Sequence, residues 1–292
     1  MNARTSLPKM WLKLLLAMLF VLSLVGAFFV KPTREHEITN ESGAEQSRDN
    51  KHLRILTWNI GNGNLESDTR AHSEDLPAVA RVILANDADA VALQELTGED
   101  QLKLLLTHLK NRYRGYVCSK GNSDRLDAVV IRTGSEGSAI FEDVPAGDHF
   151  AAAATFRLQK DSPEIYLVSA HADAFSASRR RGFSEDVTDF VRNRWEKSGL
   201  MFVTGDFNFE VSTRNKNNLF TDDAKQDSES YAYLLKYFRD LGRNAGETAI
   251  NNRRIDYVFG PTKTVSVHRA EVLRDATVGT MDHWPLLVEV AF

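Results

Sequence analysis

One cysteine in 292 residues excludes an intramolecular disulfide, so a covalent framework plays no part in this fold. Proline is scarce, with seven residues, and leaves long stretches open to regular structure. No segment repeats at a fixed period, which excludes solenoids and propellers. Excess positive charge is missing as well: the formal net charge is -4. Long uncharged apolar runs are absent, with a single exception at the N-terminus. What remains is an ordinary globular composition, 42% hydrophobic and 26% charged, long enough for one large domain or two small ones.

The exception opens the chain. "MNARTSLPKMWLK" carries Arg4, Lys9 and Lys13, and residues 14–30, "LLLAMLFVLSLVGAFFV", follow without a charge. With Trp11 and Leu12 the run is long enough to cross a bilayer, the Lys13 stem snorkelling. The expectation is a cytoplasmic basic tail at 1–10 and a transmembrane signal anchor at 11–30. The small-residue site "VGA" would make it a signal peptide if cleaved. The positive flank places the rest of the chain on the periplasmic or extracytoplasmic side, secreted if the segment is removed. Residues 31–51 are polar and read as a flexible linker, leaving 52–292 as the folded domain. Three of the 36 basic residues precede position 31, and the other 33 face 40 acidic ones, a balance opposed to tight non-specific binding of nucleic acid.

Within the domain, "LRILTW", "ADAVAL", "LDAVVIR", "AAAATFRL", "EIYLVSA", "LMFVTG", "IDYVF" and "PLLVEVAF" read as strands, several apolar at successive positions and so covered on both faces. Cys118, in the strand-like "RGYVCS", reads as a small core residue. Three helices are predicted. "HSEDLPAVARVILAND" aligns Leu76, Val79, Ala80 and Ile83; "TGEDQLKLLLTHLK" opens with Thr97 and Asp100 at capping-box spacing; "SEDVTDFVRNRW" aligns Val187, Phe190, Val191 and Trp195. Residues 211–230 read as a long polar loop. Strands too numerous for simple βαβ alternation imply two packed sheets flanked by helices.

The polar residues at the strand tips are consistent in kind. "LRILTWN" ends on Asn59, "DAVALQE" on Gln94 and Glu95, "IYLVSAH" on His171, and "LMFVTGDFN" on Asp206 and Asn208; "IDYVF" and "MDHWPLLV" open with Asp256 and with Asp282 and His283. Any strand tip meets solvent, but six restricted to types that bind hard metals and move protons indicate a site.

In this order, "TWN", "QE", "SAH", "GDFN", "IDY" and "DH" over residues 53–292 resemble the endonuclease/exonuclease/phosphatase superfamily, which includes pancreatic-type DNases, abasic-site endonucleases, the cytolethal distending toxin nuclease, neutral sphingomyelinases and inositol-polyphosphate phosphatases. The resemblance implies a four-layer α/β sandwich, two mixed β-sheets flanked by helices, with 52–292 as the catalytic domain. It implies that Asn59, Glu95 and Asp282 hold Mg²⁺ or Mn²⁺. Asp206 and Asn208 would position the attacking water, and His283, oriented by Asp256, would act as general base or bind a phosphoryl oxygen. His171 would sit across the phosphate. On an extended strand Asp282 and His283 would point opposite ways. Abasic-site endonucleases carry an acid two positions after the first Asn; here Gly61 stands there, and "HADAF" leans toward the DNase and toxin branches. The reaction expected is phosphodiester hydrolysis by a monomer, most simply an exported or tethered endonuclease, with Arg253 and Arg254 on the substrate and Arg179, Arg180, Arg181, Arg214 and Lys216 as further backbone contacts. A lipid phosphodiesterase, a phosphatase on a small substrate and a non-catalytic binding module are the alternatives.

Overall fold

The computed structural model describes residues 51–61, 75–118, 125–133, 139–195, 199–211 and 221–292. The expected tail at 1–10, the anchor at 11–30 and the linker short of Lys51 lie outside them, as do Arg214 and Lys216. Among the described residues no helix is long and apolar enough to cross a membrane.

Strand alternation sets the architecture. In β1 (His52–Asn59), Leu53 and Ile55 point to one face while Leu56 and Trp58 point to the other, and all four are buried. A strand apolar on both faces must lie between two layers. β1 pairs in parallel with β2 (Ala90–Leu96) and antiparallel with the last strand, β12 (Leu286–Ala291). β3 (Tyr113–Val117), β4 (Leu126–Arg132) and β11 (Ser266–Val272) complete a six-stranded sheet in the order β11-β12-β1-β2-β4-β3. The second sheet holds β5 (Ile140–Ala146), β6 (His149–Phe156), β7 (Ile165–His171), β8 (Leu200–Asp206), β9 (Arg239–Asp240) and β10 (Asp256–Gly260). Its order is β5-β6-β7-β8-β10-β9, again with one central parallel pair, β7 and β8.

The sheets pack face to face through Leu53, Ile55, Ala152, Ala154, Leu167, Phe202 and Val288. Against the outer face of the first lie α1 (Leu76–Ala85) and α2 (Glu99–His108). Against the outer face of the second lie α3 (Ala177–Trp195) and α4 (Ala224–Leu234). The result is the four-layer α/β sandwich of two mixed sheets.

Some local expectations were displaced. Thr97 does not cap α2: Gly98 stands at the N-cap with φ 147°, and Gln101 Oε1 accepts the Thr97 N–H at 2.8 Å. α3 begins seven residues before Ser184, because Arg180, expected as a contact to a substrate backbone, is buried against Asp227. That ion pair also explains α4, which starts inside the expected loop at Ala224 and runs past its end to Leu234; Asp223 caps it by accepting the N–H groups of Lys225 and Gln226.

Candidate active site

The parallel pairs bring their C-terminal ends to one edge of the sandwich. In register, Asn59 stands beside Gln94 and His171 beside Asp206. Gly205 allows the second pair to approach: its φ is +143°, and a Cβ there would fall 1.9 Å from Ala170 O. Asp256, opening β10, pairs with Asp206 across the next ladder. Behind this edge Phe207, Phe209, Tyr257 and Phe259 form a packed ring cluster, and the Tyr257 hydroxyl donates to the carbonyls of Phe209 and Arg254. These contacts fix the backbone that carries Asp206, Asn208 and Asp256.

Asp206 is the centre. Its carboxylate accepts the Asn208 N–H at 2.9 Å and Asn59 Nδ2 at 3.1 Å. Two imidazoles flank it, His171 Nε2 at 3.6 Å and His283 Nε2 at 3.7 Å. Both separations exceed a direct hydrogen bond, so neither ring nitrogen is bonded to the carboxylate. Asn59 Nδ2 reaches Glu95 at 3.3 Å and its Oδ1 accepts the Gly61 N–H, so the amide separates two carboxylates.

His283 is held on its other nitrogen, Nδ1 lying 2.9 Å from Asp256 Oδ2. Burial pushes the ring toward neutrality, but the charges of Asp256, Asp206 and Asp282 outweigh it and raise its pKa to about 10. At neutral pH the imidazolium is therefore a donor. The mounting differs from the expected strand start. β12 begins at Leu286, and Asp282 and His283 precede it in irregular chain clamped by a hairpin. Ile250 N–H donates to Asp282 O, Trp284 N–H to Thr248 O, and Trp58 Nε1 to His283 O. Asn251 and Asn252 turn that hairpin at φ 59° and 56°, a region Asn tolerates.

Glu95 sits on a β-bulge with φ 63°, a backbone conformation that costs about 1–3 kcal/mol and re-aims the side chain toward the edge. Its Oε1 meets Arg125 at 3.3 Å and His171 at 3.8 Å. Its Oε2 is buried with no hydrogen-bond partner among the described residues, and a Cβ on Gly61 would stand 2.0 Å from it. A naked carboxylate oxygen in a cradle one methyl would fill fits a hard cation. Asp206, Asp256 and His283 also converge, their ligand atoms within 4.8 Å of one another. There the imidazole is protonated and its Nδ1 is taken by Asp256, so Glu95 is the better anchor. Asp282 joins the edge through His283, 4.0 Å from Nε2.

The remaining expected residues divide. Arg253 is 6% exposed, and burial lowers its pKa against the opposing charges of Asp206, Glu210 and Asp256. Arg254 turns away: it pairs with Asp240 at 2.8 Å and covers the Tyr257 ring. Gln94, read at a strand tip, lies between the sheets, donating to Ser169 Oγ at 2.9 Å. Strand patterning did not single out Asp127 or Arg125. Asp127 is buried beneath the site, and burial raises its carboxyl well above the usual range, against the His171 backbone N–H. An acid inside the apolar "LDAVVIR" was the available signal.

The profile of the Endonuclease/Exonuclease/phosphatase family matches residues 56–280. The chain belongs to that family. No curated protein matches it by sequence. Solved structures resemble it in fold. The endonuclease/exonuclease/phosphatase from Bacteroides vulgatus aligns with TM-score 0.64 at 17% identity, covering 83% of this chain and 99% of that one. The human Nocturnin catalytic domain with bound sulfate anion gives 0.64 at 17%, covering 82% and 94%. A mannosyl-6-phosphatase from Bacteroides thetaiotaomicron gives 0.61 at 18%, covering 82% and 100%. Members of the family are typically metal-dependent phosphoesterases.

Proposed function

We propose that the chain is a divalent-metal-dependent phosphodiesterase whose reaction centres on Asp206. The observation that carries this reading is the Asp206 carboxylate between two imidazoles at 3.6 and 3.7 Å, one of them backed by a buried acid. Glu95, with Asn59 and Asp282, would hold Mg²⁺ or Mn²⁺, which when bound neutralises phosphate charge and stabilises the leaving oxygen. Asp206 accepts a hydrogen bond from the attacking water and aims it at phosphorus, and Asn208, fixed by its bond to Ala172 O, holds that carboxylate in place. His283, kept protonated by Asp256, donates through Nε2 to a phosphoryl oxygen as charge builds there. His171 faces the same oxygens from the β7 side.

Among the described residues the long cationic track an endonuclease would use finds little support. Arg180 is fully buried on Asp227, Arg181 is shared by Glu185 and Glu229, and Arg179 meets Asp173. A small phosphodiester fits this edge better than a polymer. Placement outside the cytoplasm rests on the basic flank and apolar run of residues 1–30.

The full chain should hydrolyse bis-p-nitrophenyl phosphate with Mg²⁺ or Mn²⁺ and stop with EDTA. Unchanged turnover in EDTA removes the metal. Parallel assays on plasmid DNA, RNA, sphingomyelin and inositol phosphates divide the substrate classes. A reporter fused after residue 50 that is active only in the cytoplasm overturns the placement.

A further inference from the structure

Next to His171 the edge opens into a recess of about 170 Å³, far beyond the ~10–15 Å³ that one water needs. Its walls come from both sheets. Arg125 enters from the start of β4 and His149 and Phe150 from β6, while the chain after His171 supplies Ala172 to Phe175. The recess is continuous with the reaction edge through two shared contacts: His171 lines it, and Arg125 reaches back to Glu95 at 3.3 Å.

Phe175 is its distinctive member. The residue is 59% exposed, beside polar and charged groups rather than in a core. A single exposed aromatic is unremarkable on a surface, but the backbone that carries this one is held in place. Asp173 Oδ1 accepts the N–H groups of Phe175 and Ser176 at 2.8 and 2.7 Å, and Asp173 Oδ2 meets Arg179 at 3.4 Å. The loop that presents the ring is thus fixed before any ligand arrives, so little ordering cost falls on binding. An aromatic side chain and a guanidinium lining one recess are suited to a flat heterocycle, which can stack on the ring and meet the cation at its edge. A fatty chain would find Arg125 and His149 instead of an apolar wall.

We propose that this recess, with Phe175 as its platform, binds a nucleobase, and that the phosphoesterase acts on small nucleotides rather than on lipid or sugar phosphates. The proposal rests on the phosphoesterase reading and adds the substrate class to it. One ring fills the recess, consistent with a cyclic mononucleotide or the terminal residue of a short oligonucleotide, whose phosphates are diesters.

The test is equilibrium binding by calorimetry on the full chain with Mg²⁺, using AMP and ribose 5-phosphate, which differ only in the base. AMP should bind at least about tenfold more tightly, the scale of one base stacked on one aromatic ring. Phe175→Ala should bring the two ligands within about twofold, and Phe175→Trp should restore the preference. Equal affinities in the unaltered chain overturn the subsite, as does a preference that survives Phe175→Ala. Loss of the phosphoesterase reading would appear elsewhere, as absence of metal-dependent bis-p-nitrophenyl phosphate turnover, while the binding comparison still decides the recess.

Discussion

Gly61 and Glu95 are so closely apposed that a Cβ on the first would lie 2.0 Å from Oε2 of the second. The position where abasic-site endonucleases carry an acid is, in this chain, space reserved for the Glu95 carboxylate. Gly61→Ala should displace that carboxylate, raise the Mg²⁺ concentration giving half-maximal activity and lower turnover by about tenfold or more, as misplacement of a catalytic group does. Gly182→Ala is the control: no atom stands within 4 Å of a Cβ there. Within α3 it should stabilise the fold by about 0.5–1 kcal/mol with activity intact. Normal metal dependence in Gly61→Ala would show that Glu95 is not the anchor.

His283 and Asp256 tie stability to alkaline pH. The imidazole pKa is raised from 6.5 to about 10, so the stabilisation it brings is fully present below about 6.5 and disappears as pH climbs through 10. In urea titrations with EDTA, unfolding free energy should fall across that window, and His283→Asn should flatten the slope. The same substitution should lower kcat by about 100- to 10,000-fold, the range for a proton-handling side chain. A His283→Asn variant that keeps the full alkaline slope would refute the coupling.

Arg180 and Asp227 form a pair in which both side chains are fully buried, joined by two bonds of 2.8 and 3.0 Å. Removing one partner strands the other charge, so Asp227→Leu should cost about 3–5 kcal/mol in chemical denaturation. The double variant Arg180→Met with Asp227→Leu should cost less, since no charge is left unpaired. Wherever these variants remain folded, substrate affinity should hold. A specific loss of affinity would return Arg180 to the substrate.

Cys118 is buried, and burial with the nearby Asp127 charge pushes its thiol up to about 12. Iodoacetamide at pH 8 should therefore modify the native chain very slowly and the urea-unfolded chain quickly, as followed by intact mass. Rapid native labelling would place the thiol in contact with solvent.

Much of the edge was legible from the chain because an apolar run records its own end. Asn59, His171 and Asp206 each close a strand, Glu95 stands one residue before the end of one, and Asp256 opens one, much as their runs imply. His283 was found for a partly mistaken reason. Its motif is local, but its mounting is a hairpin more than thirty residues earlier, tied through Thr248 and Ile250. Arg180 misled because burial of a charge depends on a partner 47 positions away, which no local pattern announces.

By itself the sequence determined which segments become strands, where each stops, and which chemical groups stand at the stops. These follow from side-chain period and polarity within a few residues. Tertiary structure alone decided which nitrogen of His283 is committed, which arginines are consumed inside the fold, and that Phe175 overhangs a recess beside His171. Those outcomes depend on distances between segments far apart in the chain, and only packing fixes them.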